Sequence, residues 1–237
     1  MTGLVEGYAA KLGWNVRPCN VVVEGTSDVE LLCLAAAHYH ERHKTAILGD
    51  QIAILAAGKG NDGGVDGVNR RLNAARQLAD ADRAPDGSLR FRFIGLYDND
   101  RAGRRAVENA CDFDRRLVRY ADLFLLHPIM PLACGADHAT LRRRFETDNV
   151  KYKGLDWEVE DLISERLLLA FEKAEPAALQ NVLEIGGREH REFTPEGKRS
   201  LHKFVGAHAT LEDFTEVVKL IRALRDYLRL KYDHILI

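Results

Sequence analysis

Short apolar runs alternate with amphipathic stretches through the first half of the chain. Residues 20–24 (NVVVE) form a β-branched run of the kind buried in parallel sheets, and 25–28 turn into an amphipathic segment that ends near His40. A second run, 52–56 (IAILA), is closed by a loop of sequence GKGNDGG at 58–64, and a helical period follows over 65–79. Residues 92–97 give a third strand, 102–110 a third helix, and 122–126 a fourth strand ahead of Pro128 and Pro131. Strands separated by single helices predict an α/β fold, a Rossmann-like core whose central parallel sheet is flanked by helices.

After Leu132 the pattern changes. A charged stretch over 142–153 has no clear period, while 158–173 and 211–232 read as helical. The chain therefore divides into a sheet-bearing core over 1–134 and a mostly helical region over 135–237. In the last helix Val217, Leu220, Ile221, Leu224 and Leu228 form an apolar stripe, which suits either internal packing or a second copy of the chain in a homodimer.

Composition narrows the classes. With 237 residues, 46% of them hydrophobic, the chain can bury a core unaided. Its 34 Lys and Arg against 36 Asp and Glu exclude a histone-like polyelectrolyte. Cys19, Cys33, Cys111 and Cys134 are too scattered for a zinc set and read as reduced thiols. No basic leader precedes an apolar run, and no window nears the roughly eighteen apolar residues of a membrane span, so the expected location is cytoplasmic, with no membrane partner.

Ligands of open α/β sheets bind beyond the carboxyl ends of the strands. The residues there are acidic: Glu24 ends the first strand, Asp28 lies a helical turn on, and Asp98 and Asp100 end the third within YDNDRAG at 97–103. In extended backbone Asp98 and Asp100 share a face, where repulsion is costly unless a cation intervenes, and oxygen donors suit Mg²⁺ or Mn²⁺. Plainer alternatives stand beside this. Asp100 also suits the N-cap of the helix at Ala102, and Ser27, Asp28 and Glu30 match a capping box with an acid in the first turn. Glu24 has only the alternative of a surface-facing strand end.

The strand-ending Glu24-Gly25 and the later Asp98-Asn99-Asp100-Arg101-Ala102-Gly103, in that order on those elements, resemble the TOPRIM domain shared by topoisomerases, bacterial primases, OLD-type nucleases and small RNA-maturation nucleases. The match spans residues 17–132, about half of the chain. The loop Gly58-Lys59-Gly60-Asn61, the acidic Glu158-Val159-Glu160-Asp161-Leu162-Ile163 and a later lysine, Lys198 or Lys203, are similar to the OLD branch.

That resemblance implies an endonuclease acting on DNA or RNA, tRNA included. Glu24, Asp28, Asp98, Asp100 and Glu160 would bind Mg²⁺ or Mn²⁺, and Lys198 or Lys203 would join Glu24, Asp98 and Asp100 in catalysis. No G-x-x-x-x-G-K-[ST] occurs, so the ABC-type ATPase that OLD enzymes usually carry would be a separate subunit. A TOPRIM nuclease with a separate ATPase resembles the effector subunits of bacterial anti-phage systems such as PARIS, held by the ATPase until infection.

Charge is segregated along the chain. Residues 101–119 hold six arginines and three acids, 198–231 hold eight basic and four acidic residues, and 158–192 hold four basic and nine acidic. Lys59, Arg101, Arg104 and Arg105 are the expected contacts to nucleic acid, although salt-bridged helix faces explain Arg115, Arg116 and the 219–231 stretch at least as well. Trp14 and Trp157 read as core or interface residues. Two readings stand outside the nuclease class. A phosphoacceptor domain is disfavoured because the fourth strand ends in Leu126-His127-Pro128. A TOPRIM module without catalysis would only bind nucleic acid or a protein partner.

Overall fold

The computed structural model describes residues 3–58 and 62–230. Strands β1 (Cys19–Val23), β2 (Ile52–Ala56), β3 (Arg92–Tyr97) and β4 (Leu123–Leu125) form one parallel sheet in the order β2-β1-β3-β4. Side chains alternate across its two faces. Val21, Val23, Ile94, Leu96 and Phe124 enter one apolar cluster, and Val22, Phe93, Tyr97, Leu123 and Leu125 enter the other. Burial on both faces explains why these strands read as unbroken apolar runs.

Helix α2 (Thr26–His43) covers the first face through Leu31, Leu32, Ala35 and Tyr39. Helices α1 (Leu4–Leu12), α3 (Gly64–Ala81) and α4 (Arg101–Phe113) cover the second through Val5, Val68, Leu72, Ala106 and Val107. The chain runs outward from β1 to β2 and then returns past β1 to β3. Winding therefore reverses between β1 and β3, and a crevice opens at their carboxyl ends.

The rest of the chain closes the first face. Helices α5 (His138–Asp148), α6 (Glu165–Ala174), α7 (Pro195–His208) and α8 (Thr215–Tyr227) contribute Phe145, Phe171, Leu201 and Leu224 to the same cluster as Val21 and Ile94. Region 135–230 thus shares a core with the sheet. Val217, Leu220, Ile221, Leu224 and Leu228 are all buried within the chain, which decides their alternatives in favour of internal packing.

Five elements go beyond the sequence pattern, helix α7 among them. Helix α1 precedes the first strand, α5 lies partly inside the stretch without a clear period, and β5 (Leu179–Ile185) pairs antiparallel with β6 (Arg188–Phe193). Gly186 and Gly187, with φ of 64° and 76°, supply the two left-handed residues that a tight hairpin turn requires. The strand predicted through Glu24 ends at Val23, which leaves Glu24 as the first residue beyond it. The helix predicted over 211–232 opens as a 3₁₀ turn, Leu211–Phe214, and its predicted end lies outside the described residues. Among the described residues no helix is long and apolar enough to cross a membrane. The four cysteines are free.

Candidate active site

The crevice between β1 and β3 holds the acids that end those strands. Glu24 Oε1 accepts the Asp98 N–H at 3.2 Å, which ties the two strand ends together. Asp28, in the first turn of α2, accepts the Gly25 N–H at 2.9 Å, so the capping role and a place at the crevice coexist. Glu24, Asp28, Asp98, Glu160 and Lys198 line a cleft of about 250 Å³.

Asp100 parts company with Asp98. Its Oδ1 accepts the Gly103 N–H at 2.6 Å as the N-cap of α4, and it borders a neighbouring groove beside Arg101 and Arg105. Its charge still bears on Glu24. The glycine that closes the motif has a steric cause. A Cβ at Gly103 would stand 2.0 Å from the Asp98 carbonyl oxygen, because α4 starts directly against the strand end. Gly103→Ala should therefore cost about 3 kcal/mol in urea unfolding. Gly7→Ala, inside α1 with no atom within 4 Å of the new methyl, should instead stabilise by about 0.5–1 kcal/mol.

Residues 157–160 reach the crevice through the backbone. The Asn99 N–H donates to the Trp157 carbonyl at 2.8 Å, and the Trp157 N–H donates back to Asn99 at 3.3 Å. The 3₁₀ turn Val159–Leu162 then carries Glu160, which is buried, into the cleft wall. Helix α7 supplies the cation. Lys198 Nζ stands 2.6 Å from Glu158 Oε2 and 3.9 Å from Glu160 Oε2. Close approach of α7 depends on Gly197, where a Cβ would meet the Ala178 carbonyl oxygen at 2.6 Å.

Of the two candidate lysines, Lys198 lines the cleft and Lys203 is exposed on α7. His202, one turn beyond Lys198, brings Nε2 to 3.3 Å from Glu160 Oε1. Sequence reasoning missed it, although its i+4 spacing from Lys198 was the available signal. Asp161 is held elsewhere, by His190 at 2.8 Å and the Arg191 N–H at 3.2 Å.

The predicted nucleic-acid contacts also separate. Arg104 donates to the Asn99 carbonyl at 2.7 Å and to Asp156 at 2.8 Å, so it braces the loop beyond β3. Arg101 and Arg105 are exposed. Lys59, with Gly60 and Asn61, lies outside the described residues. The loop resumes against Glu24: the Gly64 N–H donates to the Glu24 carbonyl at 3.1 Å, and a Cβ on Gly63 would stand 2.8 Å from that oxygen.

Crowded carboxylates disfavour one another's charge. Burial, reinforced by Asp28, Asp100 and Glu158, pushes the Glu24 carboxyl up to about 7. Burial and then Glu160 push Asp28 up to about 6. Asp98 rises well above the usual carboxylate range through burial and the neighbouring Glu24 and Asp28. Against the cost of burial, Glu160 and Glu158 hold the Lys198 ammonium above its ordinary value. Burial of Glu160 is more than offset by His202 and Lys198, which hold its carboxyl low.

Glu24, Asp28 and Asp98, when ionised, thus carry more negative charge than Lys198, already paired with Glu158 and close to Glu160, can balance. Among the described residues no three His, Cys, Asp or Glu side chains form a ready-made coordination shell. The donor chemistry nevertheless fits a hard divalent cation, since Mg²⁺ binds through one or two carboxylates and keeps several waters. No protein-family model, curated protein or solved structure matches the chain.

Proposed function

We propose that the chain is a metal-dependent nuclease that hydrolyses phosphodiester bonds at the β1–β3 crevice. The carrying observation is the convergence of Glu24, Asp28, Asp98, Glu160 and Lys198, from the ends of β1 and β3, from α2, from the 3₁₀ turn and from α7, on one cleft at the point where the sheet's winding reverses. Asp98, Glu24 and Asp28 would hold Mg²⁺ or Mn²⁺, with Glu160 and Asp100 as flanking acids. Bound there, the ion would polarise the phosphoryl group and acidify a water.

The protein's own groups supply the remainder. Glu24 Oε1 is engaged by the Asp98 N–H, which leaves Oε2 to orient the water and accept its proton. Lys198, charged and anchored by Glu158, meets the negative charge that builds on the phosphoryl oxygens as the P–O bond to the leaving oxygen breaks. Arg101 and Arg105, exposed beside the cleft, contact flanking phosphates. By the same resemblance to TOPRIM effectors, we infer a role in anti-phage defence under a separate ATPase subunit, tested by whether co-expression of that subunit suppresses toxicity.

The direct test is incubation of the purified protein with plasmid, single-stranded DNA and total tRNA in Mg²⁺, Mn²⁺ or EDTA. Cleavage should require the metal and disappear in Glu24→Ala. A module that only binds would cut nothing under any of these conditions.

Metal should also stabilise the fold, with a defined pH dependence. Raised carboxyl pKa values mean that the folded protein favours the protonated acids, so their contribution to stability is greatest at low pH. In metal-free protein it is lost as pH rises from about 4 through the values of about 6 for Asp28 and about 7 for Glu24. Mg²⁺ at about a hundred times its Kd should raise Tm by about 5–10 °C at pH 8. The same Mg²⁺ concentration at pH 5, where protonated acids weaken binding, should give a much smaller increase, and differential scanning fluorimetry reads both. Equal increases at the two pH values would contradict the charge account.

A further inference from the structure

A groove lies between α3 and α4, and its first residues, Val65 and Asp100, follow Gly64 and Asp98 of the carboxylate cleft closely in the chain. Two adjoining hollows of about 540 Å³ each share Asp66 and Asn109. The first begins at Asp100, Arg101 and Arg105, and the second ends at Phe113 and Leu117. From Arg101 to Phe113 the groove follows the length of α4, about 18 Å for a helix rising 1.5 Å per residue.

Arginines on and beside these helices fall into two groups, and those of the groove belong, with Arg71 and Arg115, to the group without an ion pair among the described residues. Arg76, Arg83, Arg104 and Arg116, on or beside the same two helices, each hold a carboxylate in an ion pair. Arg70, Arg101 and Arg105 hold none among the described residues, and Arg70 donates only to the Asp62 carbonyl at 3.3 Å. Asp66 and Asp100 on the same walls offset part of this charge. At the far end Phe113 is 80% exposed, the most exposed of the large apolar side chains described.

We propose that this groove binds a single-stranded segment of nucleic acid running out of the cleft, with phosphates on Arg70, Arg101 and Arg105 and an unpaired base stacked on Phe113. The direction of the strand rests on the nuclease reading of the cleft. Guanidinium groups free of carboxylates can release counterions from a polyanion, and an exposed aromatic face takes a base of any sequence. A duplex keeps its base faces stacked inside, so it leaves Phe113 without a partner. Offsetting acids make this a track of a few discrete contacts rather than a broad positive field.

The test is fluorescence anisotropy in EDTA, which separates binding from cleavage, using the whole chain. The probes are a labelled oligothymidylate, an oligouridylate and a duplex of equal length. Phe113→Ala should weaken both single strands about tenfold and leave the duplex unchanged. Arg101→Ala with Arg105→Ala should weaken them more than tenfold and lower the log–log salt slope by about 1.4. Arg142→Ala, which removes an exposed arginine paired with Glu146 on α5, should change nothing.

Tighter duplex binding, wild-type affinity in Phe113→Ala, or an equal loss in Arg142→Ala would each overturn the groove. Failure of the two readings is distinguishable. Groove-dependent binding by a protein that cuts nothing with metal leaves the groove standing and removes the nuclease. Metal-dependent cutting whose KM is indifferent to Phe113 and the arginine pair does the reverse.

Discussion

Asp98→Asn should abolish metal-dependent cleavage, by at least about a thousandfold in single-turnover rate, while leaving the protein folded. Asparagine keeps the size of the side chain and removes its charge. Burial and repulsion from Glu24, Asp28, Glu160 and Glu158 all act against the Asp98 carboxylate, and among the described residues no hydrogen bond to it offsets them. Removing that charge therefore relieves the metal-free protein. Tm in EDTA at pH 8 should stay level or rise, and the stabilisation by Mg²⁺ should largely vanish. A variant that lost activity together with its fold would point to a structural role, and one that cut at the wild-type rate would remove Asp98 from the centre.

Lys198→Met should damage both function and stability, which sets it apart from Asp98→Asn. Its ammonium is the side-chain cation shared by Glu158 and Glu160, and Glu160 is buried. Loss of the lysine leaves Glu160 with His202 alone. Because Lys198 keeps about a third of its side chain exposed, solvent screens part of the loss, and about 1–2 kcal/mol is expected at pH 8. Cleavage should fall at least about a hundredfold, as when a positioned charge donor is removed from a transition state. Lys198→Arg should restore stability better than rate, since the fork-shaped guanidinium pairs with both acids but carries its charge differently. Lys203→Met, on the exposed face of the same helix, should behave as wild type; an equal loss there would reverse the assignment of the two lysines.

The contrast between these lysines shows where sequence reasoning stops. Between Glu160 and Lys198 the chain forms α6 and a polar hairpin, and no local period fixes how α7 lies against the sheet. Close packing of Gly197 on Ala178 settles it, and that contact is long range. By contrast, β1 to β4 were legible because burial on both faces produces apolar runs, and Glu24 and Asp98 followed as the residues ending β1 and β3. The hairpin was illegible for the opposite reason: β5 is mostly exposed, so no alternation of apolar and polar residues marks it.

Charge motifs carried less than their spacing suggested. Asp98 and Asp100, two residues apart, separate because β3 ends at Tyr97 and the Asp100 carboxylate turns to the Gly103 N–H to cap α4. Arg104 looks like its neighbours Arg101 and Arg105, yet Asp156, distant in sequence, claims it. Phe113 gave no signal at all, since a single aromatic at a helix end acquires meaning only from the groove beside it.

The central claim is that Glu24, Asp28 and Asp98 form a divalent-cation site, and a Mn²⁺ titration followed by electron paramagnetic resonance tests it without any substrate. Wild-type protein at pH 8 should bind Mn²⁺ saturably, release it to excess Mg²⁺, and lose that binding in both Asp98→Asn and Glu24→Gln. Absence of saturable binding, or an isotherm unchanged in those variants, would contradict the account.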